Sequence, residues 1–210
     1  MRYFVTAIGT DSGKTLVSAI ITEALKADYW KPIQAGLPRD TDTVASLVSN
    51  NESSFHREAY FLQTPASPHA AAGLEKMTIS KANIEVPATG RDLIIEGAGG
   101  IMVPLNDDDF MIDLADLFEA EVILVSNLYL GSINHTLLSA ETLLRRGYHV
   151  KGIIFNGKSN PESERIILKH TQFPCLLRLP ELATVDKGTV KHYAEKLHKN
   201  WYAGELVEER

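Results

Sequence analysis

Gly13, Lys14 and Thr15 stand together between an apolar run, Tyr3 to Ile8, and a stretch of helical periodicity that begins at Thr15. A glycine turn that opens a helix in this way is an anion site. Free backbone N–H groups and the positive end of the helix dipole face the anion, the lysine neutralises charge, and the threonine hydroxyl is a magnesium ligand. The strict pattern G-x-x-x-x-G-K-[ST] is not met: Ile8 holds the first glycine position, and three residues separate Gly9 from Gly13. The location of the triplet between a first strand and a first helix nevertheless points to nucleotide phosphate.

Further polar residues stand at the ends of apolar runs. Lys31, in Trp30-Lys31-Pro32-Ile33-Gln34-Ala35-Gly36, precedes a proline that keeps its strand from continuing into a helix. It is either a solvated strand-end lysine or a second ammonium beside Lys14, suited to an anionic substrate or a transferring phosphoryl group. Asp42 opens the next helical stretch, where it is a first-turn residue or a metal ligand. Glu96 ends Leu93-Ile94-Ile95 and leads into Gly97-Ala98-Gly99-Gly100, so an acidic group at a buried strand end faces the phosphate turn, a fitting magnesium partner. Asn156, followed by Gly157, either caps a turn or reads an adenine edge with its amide. Asp107, Asp108 and Asp109 read as a solvated turn. The seven histidines show no paired spacing that would build a zinc site.

Positioning these groups requires alternating strands and helices. Strands are expected at Tyr3 to Ile8, Tyr29 to Lys31, Leu93 to Glu96, Val122 to Ser126, Gly152 to Asn156 and Leu176 to Leu179. Helices are expected at Thr15 to Lys26, Asp42 to Ser49, Ile112 to Ala120, Ile133 to Arg146, Glu162 to His170 and Asp186 to Lys199. The alternation describes an α/β fold, a mainly parallel sheet with helices on both faces, whose ligands sit outside the carboxyl ends of the strands.

The chain has 210 residues, 44% apolar and 23% charged, which suits one globular domain spanning 1–210. A formal net charge of −6 argues against a nucleic-acid partner. Cys175 is the only cysteine, so no intrachain disulfide forms. The first apolar run is broken by Gly9 and Asp11, too early for a signal peptide or a membrane span, and Asn200 to Arg210 have too little apolar surface to anchor. A cytoplasmic protein with no membrane partner is expected.

The stretches Arg2 to Thr15, Lys31 to Gly36, Pro65-Ala66-Ser67-Pro68-His69, Glu96 to Gly100, Leu130-Gly131-Ser132-Ile133-Asn134-His135, and Asn156 resemble dethiobiotin synthetase in order and spacing. The resemblance runs over nearly the whole chain and implies a single P-loop NTPase-like domain. It implies a homodimeric cyclo-ligase dependent on ATP and Mg2+, which closes a ureido ring on 7,8-diaminononanoate with CO2. Carried over position by position, Asp11, Ser12, Gly13, Lys14, Thr15 and Leu16 wrap the triphosphate, and Thr15, Asp42 and Glu96 surround magnesium. Lys31 and Lys14 are catalytic and hold a carbamate. Glu96, Gly97, Ala98 and Gly99 border the phosphates; Asn156, Gly157, Pro180, Glu181 and Leu182 hold adenine. Gly131, Ser132, Ile133 and Asn134 bind the substrate carboxylate across a dimer interface. The family usually has glycine at Ala7 and a hydroxyl residue at Ala35, another substrate position, where Gln34 or backbone groups are the candidates to replace the hydroxyl. The rival reading, a nucleotide-switch ATPase, is disfavoured because many such proteins carry an extra lysine early in the loop and Ala7 to Ser12 contain none.

Overall fold

The computed structural model describes residues 1–201, so the end of the Asn200 to Arg210 stretch lies outside the described residues. Its elements run β1 (Arg2–Ala7), α1 (Lys14–Leu25), β2 (Asp28–Trp30), β3 (Ile33–Ala35), α2 (Asp40–Leu47), β4 (Phe55–His56), β5 (Tyr60–Leu62) and α3 (Pro68–Leu74). The order continues with β6 (Leu93–Glu96), α4 (Asp113–Leu117), β7 (Glu121–Asn127), α5 (Ser132–Arg145), β8 (Val150–Asn156), α6 (Pro161–Thr171), β9 (Cys175–Leu179) and α7 (Lys187–Trp201). Seven strands form one sheet in the order β4-β2-β6-β1-β7-β8-β9, and every neighbouring pair is parallel.

Successive side chains of a strand point to opposite faces, and here both faces are covered. Phe4 packs into a cluster with Trp30, Phe118 and Phe155, whereas its neighbours Tyr3, Val5 and Ala7 join Val17, Ile20 and Ile21 of α1 and Val190, Leu197 and Trp201 of α7. The Trp201 ring closes the second cluster edge-on to Tyr3, 5.0 Å between centroids. This double burial makes the central strands continuous apolar runs in the sequence.

All six expected strands and six expected helices are present, with ends shifted by a few residues. The segment between α1 and β6 holds what local periodicity does not reveal. β3 and β5 pair with each other in a separate two-stranded parallel sheet, Ile33 opposite Tyr60, and the two-residue β4 forms the edge of the main sheet. These three strands are too short to show a period, and their pairing is decided by distant partners. The acidic run also differs from expectation. Asp107 and Asp108 are exposed, but Asp109 is paired with Lys81 at 2.7 Å and accepts from Asn106 Nδ2 at 3.0 Å, so it ties its loop to a distant turn.

Candidate active site

β1 delivers the chain to the phosphate turn, and the turn is shaped by two left-handed residues, Asp11 at φ 56° and Gly13 at φ 89°. Gly13 serves as the N-cap of α1 and offers no side chain; the first turn has no acidic residue. The contrast with α6 is informative. There Asn160 caps the helix by accepting from Ser163 N–H, and Glu162 and Glu164 occupy the first turn. The amino end of α1 keeps its positive potential available to an outside anion. Ser12 Oγ donates to the Gly9 carbonyl at 3.0 Å, and Lys14 Nζ reaches back to the same carbonyl at 3.4 Å, so the lysine lies across its own loop. Burial lowers the Lys14 pKa, with Lys31 adding to the fall, and Glu96 and Asp40 only partly offset it.

Asn156, at the end of β8, lies directly over this turn and donates through Nδ2 to the Ser12 carbonyl at 2.9 Å. A Cβ on Gly13 would stand 2.2 Å from that amide nitrogen. Glycine is therefore required at position 13 twice, by backbone conformation and by this contact. Ala7, by contrast, is an ordinary strand residue paired with Val125, and its side chain is part of the core beneath α1.

The carboxyl ends of β2 and β6 bring Lys31 and Glu96 together. Both are buried, 4% and 1% exposed, and Lys31 Nζ lies 3.0 Å from Glu96 Oε1 and 2.5 Å from Asp40 Oδ2. Thr15 Oγ1 is within 3.1 Å of Glu96 Oε1 and 3.0 Å of Asp40 Oδ1. Tyr29, in the core, donates its hydroxyl to Glu96 Oε2 at 2.9 Å. Burial opposes the charge on Lys31, but Glu96 and Asp40 outweigh it and raise the pKa, so this lysine is held as an ammonium. Burial and Glu96 together push the Tyr29 phenol well above its ordinary value, which keeps it a neutral donor.

The acid that joins this cluster is Asp40, not Asp42. Asp42 Oδ1 points away toward Arg39 at 3.8 Å, and its side chain is 69% exposed. The helix starts two residues earlier than its apolar period suggests, and the shift rotates Asp42 off the site. Gln34, a candidate to replace the hydroxyl absent at Ala35, lines the same cavity as Lys14 and Lys31; its Nε2 donates to the Gly36 carbonyl at 3.1 Å and its Oε1 accepts the Asp40 N–H at 3.0 Å, which leaves one N–H and one lone pair of the amide for a ligand.

One cavity of about 710 Å³ is lined by Asp11, Ser12, Gly13, Lys14, Thr15, Lys31, Ala35, Asp40, Glu96, Ala98 and Gly99, with Pro65 to Pro68 on its far wall. Several sequence candidates lie outside it. Leu16 is partly buried against the core beneath α1, and Gly97 sits close to Phe4 and Met111, where an added Cβ would stand 3.1 Å from the Phe4 ring. Gly157 N–H is bonded to the Leu179 carbonyl, and Pro180, Glu181 and Leu182 follow β9 immediately, so Asn156 and this loop share one end of the sheet. Gly131, Ser132, Ile133 and Asn134 open α5 after β7; Gly131, at φ 104°, caps it without a side chain, and the first turn has no acidic residue. Asp40 and Tyr29 are the site residues that sequence reasoning missed. Only a proper start for α2 could have flagged Asp40, and nothing local marks Tyr29.

Residues 1–189 match the family described as AAA domain. The ATP-dependent dethiobiotin synthetase BioD of Cytophaga hutchinsonii is 60% identical over 203 residues, covering 96% of this chain and 98% of that protein. The protein of the same name from Christiangramia forsetii is 52% identical, with 94% and 96% covered. Among solved structures, the septum site-determining protein MinD of Pyrococcus horikoshii, complexed with Mg-ADP, aligns over 100% of this chain and 98% of its own with a TM-score of 0.55. At 15% identity that likeness shows a shared P-loop NTPase fold and nothing of function. With relatives so close over almost its whole length, the chain belongs to the ATP-dependent dethiobiotin synthetase family.

Proposed function

We propose that this chain carries out its family's ATP-dependent ring closure of diaminononanoate in the cavity between the phosphate turn and Lys31. One observation carries the placement: two buried ammonium groups, two carboxylates and a hydroxyl converge at the amino end of an uncapped helix. Such a site suits phosphoryl transfer, where positioning and charge stabilisation are the main tasks.

In the proposed sequence one substrate amine adds to CO2 and loses a proton, giving a carbamate. A carbamate oxygen then attacks the γ-phosphorus of ATP, and ADP leaves. The second amine attacks the carbonyl carbon of the resulting carbamic-phosphoric anhydride, loses its proton and expels phosphate as the ureido ring closes. No protein nucleophile is needed. Lys14 and the N–H groups of residues 11 to 15 hold the triphosphate. Lys31, kept charged by Glu96 and Asp40, stabilises the carbamate and the transferring phosphoryl group and is not a base. Asn156 and Pro180 to Leu182 border the nucleoside end.

Thr15, Asp40 and Glu96 offer only oxygen donors, which suits Mg2+. Among the described residues no group of three or more His, Cys, Asp or Glu is assembled to hold a metal by itself, so nucleotide phosphates would complete the coordination. The ion would neutralise charge on the phosphate oxygens. No described helix is long and apolar enough to cross a membrane. We take the enzyme to work in the cytoplasm as a homodimer whose Gly131 to Asn134 binds the carboxylate of the substrate held by the other copy.

The test is to incubate the protein with ATP, Mg2+, bicarbonate and 7,8-diaminononanoate and follow dethiobiotin by mass and ADP by coupled assay. ADP release should depend on the diamine; diamine-independent release without dethiobiotin rejects the assignment. Lys31→Ala should lower turnover by about a hundredfold or more while ATP still binds. Near-normal turnover in that variant removes Lys31 from the mechanism.

A further inference from the structure

Asp40 is held in place by residues that the reaction does not use. Glu58, between β4 and β5, has a side chain only 2% exposed, yet its partners lie on the first turn of α2. Arg39 donates to it twice, Nε to Oε1 at 3.2 Å and Nη2 to Oε2 at 2.6 Å, and Thr41 Oγ1 donates to Oε1 at 2.8 Å. Glu58 thus grips the residue before Asp40 and the residue after it. The Asp40 N–H itself is taken by Gln34 Oε1. This leaves the Asp40 carboxylate as the one group of the turn aimed at Thr15 and Lys31.

The start of this helix lacks a cap of its own: its N-cap residue, Arg39, makes no side-chain capping bond, so Glu58 supplies from outside what fixes the turn. A fork-shaped guanidinium on a buried carboxylate fixes geometry as well as charge, which a single hydrogen bond does not. Burial alone would raise the Glu58 pKa, but the bonds from Arg39 and Thr41 bring it below the ordinary value, as expected of an ionised anchor.

We propose that Glu58 is a positioning residue for the ring-closing reaction, holding α2 through Arg39 and Thr41 so that the Asp40 carboxylate stays against Thr15 and Lys31. The inference rests on the placement of Asp40 in the active site. Misplacing a site group by about 1 Å costs on the order of a hundredfold in rate, so a remote anchor has catalytic consequences.

The test uses Glu58→Gln, which keeps shape and loses charge, and Arg39→Lys, which keeps charge and loses the fork. Amide hydrogen exchange is measured on the protein without nucleotide or metal, and steady-state kinetics are measured with and without Asp40→Asn. Expected for Glu58→Gln are exchange at Asp40 and Thr43, whose N–H groups are bonded to Gln34 Oε1 and the Arg39 carbonyl, about tenfold faster with distant core amides unchanged, and kcat lower by about tenfold with the diamine KM little changed. Because the anchor acts only through Asp40, the substitution should cost nothing more in the Asp40→Asn background. Arg39→Lys should follow the same pattern more weakly, and it carries the test if Glu58→Gln does not fold. Unchanged exchange and kcat, or an equal further loss on top of Asp40→Asn, overturns the proposal. Wild-type turnover in Asp40→Asn alone overturns the placement of Asp40, and the proposal with it.

Discussion

Residues two apart in a helix are separated by about 200° around its axis. That rotation decides which aspartate of the Asp40-Thr41-Asp42 start belongs to the site. Asp40 meets Lys31 and Thr15, whereas Asp42 faces solvent. Asp40→Asn should therefore reduce turnover by about a hundredfold and raise the Mg2+ needed for half-maximal rate, while Asp42→Asn leaves both within about twofold. Steady-state assays over a Mg2+ series decide it; equal effects, or the reverse order, restore Asp42. Gly13→Ala makes a second claim at this scale. It places a side chain at φ 89° and 2.2 Å from the Asn156 amide, so it should cost about 1–3 kcal/mol of stability and displace Asn156 from the Ser12 carbonyl. A melting scan with a nucleotide titration checks this, and unaltered stability and affinity would sink the packing argument. At this scale the sequence made Lys14, Thr15, Lys31 and Glu96 legible because each stands at the end of an apolar run or the start of a helical stretch. Asp40 and Glu58 were hidden because their roles depend on a helix start and on contacts between short segments.

The long elements were readable because each strand is apolar on both faces and each helix carries its own stripe, so their signals are local. Between residues 31 and 92 only α2 was, because β3, β4 and β5 exist only through pairing with other segments. Buried polar bonds hold this segment, and they give it a definite response to acid. Asp28, 4% exposed in β2, accepts from Ser54 N–H at 2.8 Å and Thr89 Oγ1 at 2.7 Å, with His56 Nε2 at 3.2 Å. Burial alone would raise its pKa, but these partners outweigh it and the value falls below the ordinary one. A carboxyl depressed in the folded state adds stability above its unfolded pKa of about 3.9, and that stability is lost as pH falls through the folded value. Asp28→Asn should thus lower stability at pH 7 by about 1–3 kcal/mol and by much less near pH 3. Denaturant midpoints at the two pH values test it; an equal deficit at both refutes the ionic role of Asp28.

At the scale of the whole molecule, the phosphate cavity and the Gly131 to Asn134 turn stand apart: none of those four residues lines the cavity, although the family resemblance gives them the substrate carboxylate. The homodimer proposed above would resolve the separation. The edge carrying that turn is apolar, with Tyr129 45%, Leu130 104% and Leu138 55% exposed. Leu138 lies one helical turn beyond Asn134, so it shares that residue's face of α5. If this face is where two copies meet, Leu138→Glu would bury an unpaired carboxylate in the interface, which costs several kcal/mol and weakens association by about a hundredfold or more. The expected result is a monomer by sedimentation at concentrations where the parent chain is dimeric, with ATP binding intact because the phosphate cavity belongs to one chain. Turnover should fall with the loss of dimer and recover as protein concentration rises, since mass action rebuilds the shared site. A monomer with full activity at every concentration would mean that one chain suffices, and the substrate carboxylate would then have to be held by groups of the cavity itself.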